Sequence, residues 1–340
     1  MTSDRDEREN PVSTDERPKR APYTSGASFL NCQTVTDDDI NPGMIVVGGV
    51  PCEFTGSAIG PRMGPAAIRT ASLVIDWRWR EPGPEGVVDV RDGSTVRFRD
   101  DLQLGDVGDF TTYAPQLEAT TRAIEARMEG IVARGAFPVM LGGDHYVSYP
   151  LVAGYHAAKL AAGQRRIGYI QVDAHLDLQD ENPTHGRYWH GSNARRVAEL
   201  EAFDPRNMVW LGALDIAWRD EWDFVQRTGA TVVTVDRMRE RGIEQIVTEA
   251  LAIAGRGCDS IYLTVDIDVV DSAAAPGTGY TNFGGLTSRE FLRTLRALGR
   301  SDQIGGIDLV EVTPPRDHGG ITAYLAALGL VELLRPRILD

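Results

Sequence analysis

Residues 167–177 read Ile-Gly-Tyr-Ile-Gln-Val-Asp-Ala-His-Leu-Asp: an apolar run, Ile167 to Val172, that stops abruptly in Asp173, His175 and Asp177. A short apolar run without strict alternation is the pattern of a strand buried on both faces. Seven more such runs recur, at Met44–Val47, Leu102–Leu104, Pro138–Leu141, Met208–Leu211, Thr231–Val235, Ile261–Val265 and Ile304–Val310. Between many of them lie helical patterns, with apolar residues three and four apart over Ala114–Arg134, Tyr149–Ala162 and Ser288–Leu298, the last with Thr287 or Ser288 as N-cap. Alternating strands and helices predict one α/β domain with a mostly parallel sheet. In such sheets functional residues gather beyond the carboxyl ends of the strands.

Four of those ends are chemically unusual. Besides Asp173-Ala-His175-Leu-Asp177, the chain has Gly142-Gly-Asp-His145, Asp266-Ile-Asp268-Val-Val-Asp271 and Glu311-Val-Thr-Pro-Pro315. Burying an unpaired carboxylate costs several kcal/mol, so such groups beside very apolar strands call for a compensating cation. Residues two apart in extended chain point the same way, which predicts that Asp173, His175 and Asp177 converge, and likewise Asp266 and Asp268. The two glycines before Asp144 predict a tight turn that aims His145 into the site. Four aspartates balance two divalent cations, with His145 and His175 as neutral ligands. Carboxylate and imidazole without thiolate suits Mn²⁺, with Ni²⁺, Co²⁺ or Fe²⁺ as alternatives. A carboxylate-bridged metal pair generates hydroxide near neutral pH. Of the six histidines, only His156 lies away from these motifs, inside a helical pattern.

Composition agrees. The 340 residues are 42% hydrophobic and 25% charged, which excludes a disordered or fibrous chain. A formal charge of −14 without a basic run argues against nucleic acid as a partner. The three scattered cysteines exclude a disulfide scaffold and fit a reducing cytoplasm. The first twenty residues include eleven charged ones, unlike a signal peptide, and no stretch suits a membrane span. Residues 1–40 read as a polar, mobile tail and 41–340 as a single catalytic domain. Dinucleotide, P-loop and Gly-x-Ser-x-Gly patterns are missing or incomplete.

Taken together the motifs resemble the ureohydrolases, the family of arginase, agmatinase and guanidinobutyrase, and most of all the agmatinase branch. The matching stretches are GGDH at 142–145, DAHLD at 173–177, His190-Gly191, DIDVVD at 266–271, PGTG at 276–279, GGLTSRE at 284–290, EVTPPRDHGG at 311–320 and the early segment from Gly49-Val-Pro to Gly64-Pro-Ala-Ala-Ile-Arg69. The resemblance implies a three-layer α/β/α sandwich around a mostly parallel eight-stranded sheet, a binuclear manganese centre, and a homotrimer or homohexamer. It implies that His145 and Asp177 complete one metal site, that His175 and Asp268 complete the other, and that Asp173 and Asp266 bridge them. His190 matches a proton-shuttling histidine and Glu311 the carboxylate that holds a guanidinium. The reaction implied is attack of a metal-bridging hydroxide on a small guanidino compound, giving urea and an amine. A formimino-group hydrolase of the same fold, or a catalytically silent partner subunit, are the alternatives.

The chain departs from the usual family pattern at Tyr146, at Ser192-Asn-Ala-Arg-Arg196, at Ser272 and at Arg316. No departure removes a metal ligand, but those near His190 and Arg316 bear on the substrate. Trp189 is either a pocket wall or packing beneath its loop. Agmatine's second cation would be received by Asp180 or Glu181 and repelled by Arg187 and Arg316, unless those charges pair among themselves. The balance leans away from agmatine.

Overall fold

The computed structural model describes residues 27–54, 59–113, 116–214 and 216–340. Eleven strands are β1 (Gln33–Thr34), β2 (Ile45–Val50), β3 (Val87–Asp89), β4 (Ser94–Val96), β5 (Leu104–Asp109), β6 (Phe137–Gly142), β7 (Ile167–Val172), β8 (Met208–Ala213), β9 (Thr231–Thr234), β10 (Ser260–Asp266) and β11 (Ile304–Val310). The helices are α1 (Gly64–Arg80), α2 (Leu117–Ala133), α3 (Ser148–Ala161), α4 (Asn193–Val197), α5 (Arg219–Thr228), α6 (Val235–Arg241), α7 (Ile243–Ala254), α8 (Ser288–Gly299) and α9 (Ile321–Ile338). Nine strands form one parallel sheet in the order β1-β5-β2-β6-β11-β10-β7-β8-β9, and β3 and β4 form a separate antiparallel hairpin.

The strands are buried on both faces, and successive side chains enter different cores. Val139 and Leu141, Ile170 and Val172, and Leu263 and Val265 pack into the core shared with α1 and α6 to α9. Met140, Tyr169 and Tyr262 pack into the core on the other face, shared with α2 to α5. The result is the expected α/β/α sandwich. Thr287 caps α8 in a reciprocal box, its hydroxyl accepting the Glu290 N–H at 3.2 Å while the Glu290 carboxylate accepts the Thr287 N–H at 2.8 Å.

All eight anticipated strands are present, but the sheet has nine. The addition, β1, is two residues long and pairs with β5. It lies within the stretch expected to be a mobile tail. Residues 27–40 are instead packed: Phe29 and Leu30 are fully buried, and their N–H groups donate to Asp106 and Ser72 at 3.0 and 2.8 Å. The few apolar residues of this polar stretch find partners on α1 and β5, which no local pattern shows. The rest of the anticipated tail, 1–26, lies outside the described residues. The second anticipated strand, Leu102–Leu104, begins later and runs to Asp109. All three cysteines are free thiols. No helix among the described residues is long and apolar enough to cross a membrane.

Candidate metal centre and catalytic site

The four unusual strand ends belong to β6, β11, β10 and β7, four adjacent strands in the middle of the sheet. Their carboxyl ends deliver His145, Glu311, Asp266 with Asp268, and Asp173 with His175 and Asp177 to one place.

Two imidazoles organise the cluster. His145 Nδ1 lies 3.3 Å from Asp173 Oδ2, 2.9 Å from Asp177 Oδ2 and 3.1 Å from Asp266 Oδ2. His175 Nδ1 lies 3.5 Å from Asp173 Oδ1 and 3.0 Å from Asp268 Oδ2. Asp173 thus offers one oxygen to each group. Ligand atoms of His145, Asp173 and Asp266, and those of Asp173, His175 and Asp268, form two sets close enough to hold a cation apiece. Asp173 is common to both sets, while Asp266 belongs to the His145 set.

The convergence is achieved by turns rather than by extended chain. β7 ends at Val172 and β10 at Asp266. Asp173 Oδ1 accepts the His175 N–H at 2.7 Å, and Asp266 Oδ1 accepts the Asp268 N–H at 2.8 Å, so each first carboxylate folds the backbone that carries the next ligand. Asp177 takes a left-handed φ of 52° and Glu311 one of 66°, strain of the kind that gathers at functional sites. Gly143 serves close packing, since a Cβ there would stand 2.2 Å from the Cys52 carbonyl oxygen.

The electrostatics call for positive charge. Burial opposes an imidazolium at His145, but Asp173, Asp177 and Asp266 outweigh it and hold its pKa well above the ordinary value. Asp268, against burial, does the same for His175. Burial, with Asp268 and Asp173, pushes the Asp266 carboxyl well up. Asp268 Oδ1 is buried without a hydrogen-bond partner. An orphaned carboxylate oxygen, four buried aspartates and two imidazoles fit two divalent cations, and the all N and O donor set fits Mn²⁺, Ni²⁺ or Co²⁺.

Glu311 is 7% exposed, and Oε1 accepts the His145 N–H at 2.7 Å. Burial, with Asp144 and Asp266 nearby, lifts its pKa well above the usual carboxylate range, which a cationic partner would reverse. His190 is buried beside Trp189 and Tyr280, with ring centres 4.6 and 5.6 Å away. Burial pulls its pKa down, against Asp144 and Asp177.

Sequence reasoning missed the residues that hold the ligands. Asn193 Nδ2 donates to Asp177 Oδ2 at 2.8 Å. Beneath the cluster, His145 Nε2 meets Thr264 Oγ1 at 3.3 Å, and Thr264 and Ser148 both donate to the fully buried Asp308. The signal for Asp308 was present, a carboxylate inside the apolar run Ile304–Val310. Glu221 accepts the Leu178 N–H at 2.9 Å next to Asp177, and burial lifts its carboxyl to about 7.

Of the anticipated tail-reading charges, Asp180, Arg187 and Arg316 are engaged elsewhere, while Glu181 is exposed. Arg187 donates to Asp180 and Glu199, and Asp180 also takes Arg196. Arg316 Nη1 donates to the Gly279 carbonyl at 2.9 Å. Trp189 packs beneath its loop, 7% exposed and stacked on His185 at 4.9 Å. The aromatic set against both His175 and His190, with ring centres 5.6 Å from each, is Tyr280, which the sequence did not single out.

The model of the arginase family matches residues 44–335. The chain is 32% identical over 311 residues to the guanidinopropionase of Pseudomonas aeruginosa, covering 90% of each chain. It is 32% identical over 293 residues to an agmatinase of Edwardsiella ictaluri, covering 85% of this chain and 86% of that one. The solved proclavaminate amidinohydrolase of Streptomyces clavuligerus superimposes with a TM-score of 0.74 at 30% identity, covering 93% of this chain and 98% of that one.

Proposed function

This chain belongs to the arginase family, hydrolases that act on carbon–nitrogen bonds of linear amidines, and from that premise we propose that it releases urea from a small guanidino compound in a metal-dependent reaction. The observation that carries the reading is the single carboxylate of Asp173 lying between two imidazoles that each hold further aspartates. His145, Asp177 and Asp266 would hold one cation, His175 and Asp268 the other, and Asp173 both, with Mn²⁺ the ion that fits best. When bound, the cations supply Lewis acidity and hydroxide near neutral pH.

The chain's own residues do the rest. Glu311, fixed by the His145 N–H, receives the planar guanidinium through charge-assisted hydrogen bonds and sets its carbon against the cluster. The amine that leaves the tetrahedral intermediate needs a proton. His190 would relay it, a reading supported by its burial beside Tyr280, the ring that also meets His175.

The substrate is a slender guanidino compound other than agmatine. Agmatine's ammonium would need a free carboxylate, and of the two anticipated Asp180 is occupied by arginines, which leaves only the solvent-exposed Glu181. The protein works in the cytoplasm, where its free thiols stay reduced, and assembles as a trimer or hexamer. The test is urea release from agmatine, 4-guanidinobutyrate, 3-guanidinopropionate, guanidine and methylguanidine, with protein loaded separately with Mn²⁺ and Ni²⁺. No urea from any of them overturns the proposal. A kcat/KM for agmatine more than tenfold above the others, about 1.4 kcal/mol, overturns the substrate reading.

A further inference from the structure

Exposure across the cluster is uneven. Asp173, Asp266, Asp268 and His145 are sealed, whereas the His175 side chain is 38% exposed. A substrate therefore reaches the cluster from the His175 side. On that side stands Tyr280, its ring centre 5.6 Å from that of His175 and 5.6 Å from that of His190. The ring thus touches a candidate metal ligand and the candidate proton donor at once, while Tyr280 remains 43% exposed.

Its loop is clamped to the segment that carries Glu311. The Thr313 N–H donates to the Gly277 carbonyl at 2.7 Å, and the Gly277 N–H donates to Thr322 Oγ1 at 2.9 Å. Arg316 Nη1 donates to the Gly279 carbonyl, one residue before the tyrosine. A Cβ at Gly277 would stand 2.5 Å from that of Asp317, so the two segments approach as closely as glycine allows. The backbone that leads into Tyr280 is therefore tied to the segment that follows Glu311.

We propose that Tyr280 is the specificity-determining residue at the mouth of the site. Its ring receives the guanidinium on entry, and its bulk admits compounds with slender, unbranched tails while refusing those that are bulky beside the guanidino nitrogen. Arg316 is the positioning residue that holds the ring in place. The inference rests on the guanidino reading above. A planar cation against a tyrosine ring gains cation–π attraction, and a group bulky at the first tail atom would compete for the space the ring fills.

The test uses manganese-loaded protein and reads binding by calorimetry alongside urea release. The probes are guanidinium, methylguanidine, 4-guanidinobutyrate and benzylguanidine. The proteins are wild type, Tyr280→Ala, Tyr280→Phe and Arg316→Ala, each with its manganese content measured. Tyr280→Ala is expected to raise the benzylguanidine-to-methylguanidine ratio of binding constants at least tenfold and to weaken guanidinium several-fold. Tyr280→Phe is expected to keep wild-type ratios within twofold, and Arg316→Ala to move them as Tyr280→Ala does by a smaller factor, all with unchanged manganese content. A binding ratio that stays within twofold in Tyr280→Ala, or loss of manganese from that variant, overturns the proposal. A wild type that binds the probes but releases no urea overturns the reaction instead, and the binding ratios still decide the role of Tyr280.

Discussion

In the proposed centre both cation positions depend on the carboxylate of Asp173. One oxygen lies 3.3 Å from His145 Nδ1 and the other 3.5 Å from His175 Nδ1. Gln171 Nε2 also donates to it at 2.7 Å, which fixes its plane. Asp173→Asn keeps the shape and removes the charge that the two groups share. A ligand at a hundred times its Kd stabilises the folded state by about 2.7 kcal/mol per site, so two sites contribute about 5.4 kcal/mol. With an unfolding entropy of about 2.1 cal/mol/K per residue over roughly 300 ordered residues, 1 kcal/mol corresponds to about 1.6 °C. Saturating Mn²⁺ should therefore raise the Tm of the wild type by about 8–9 °C and that of Asp173→Asn by less than about 2 °C. Asp177→Asn touches only the His145 group and should keep about half the wild-type shift. Scanning calorimetry at graded Mn²⁺, with elemental analysis of each protein, reads both quantities. An Asp173→Asn protein that binds one equivalent and keeps half the shift would refute the shared-ligand argument. A wild type whose Tm ignores Mn²⁺, Ni²⁺ and Co²⁺ alike would refute the metal centre.

Glu311→Gln should lower kcat/KM on every guanidino substrate by a similar factor, on the order of 10²-fold for about 3 kcal/mol of lost ion pairing; a loss confined to one substrate would place Glu311 at the tail instead. His190→Ala should keep its metals and lose roughly 10²–10⁴-fold in turnover, with partial rescue by added imidazole. Unchanged turnover would move the proton relay to another group. Away from the site, the Arg239 guanidinium, aided by the Thr287 cap and against burial, holds the Glu290 carboxyl down to about 2. A depressed folded pKa stabilises above the unfolded value and loses that stabilisation as pH falls toward the folded one. Glu290→Gln should therefore lower Tm at pH 7 and do so progressively less between pH 4.5 and 2; a pH-independent difference would show that the pair contributes nothing through charge.

Eight of the nine strands of the main sheet, the α/β class and the candidate ligand residues were legible along the chain. Apolar runs such as Ile167–Val172 report burial on both faces by composition alone, and carboxylates at their ends are anomalous wherever the strands happen to sit. Thr287 with Glu290 announces the start of α8 by a local hydrogen-bond pattern three residues long. What the chain could not show was adjacency. β6, β7, β10 and β11 are met in that order along the sequence, yet the sheet places them β6-β11-β10-β7, and only that order brings Glu311 to the N–H of His145. The same holds for Phe29 and Leu30, buried against β5 and α1 from within a polar stretch. It holds for Arg187 and Arg316, whose charges are spent on Asp180, Glu199 and a loop carbonyl, and for Tyr280, an unremarked loop residue that tertiary packing sets against two imidazoles. Periodicity, capping and local charge are properties of neighbouring residues and survive in one dimension. Strand order, ion-pair choice and the lining of an entrance are settled by contacts between segments dozens of residues apart, and these exist only once the sheet has closed over its two cores.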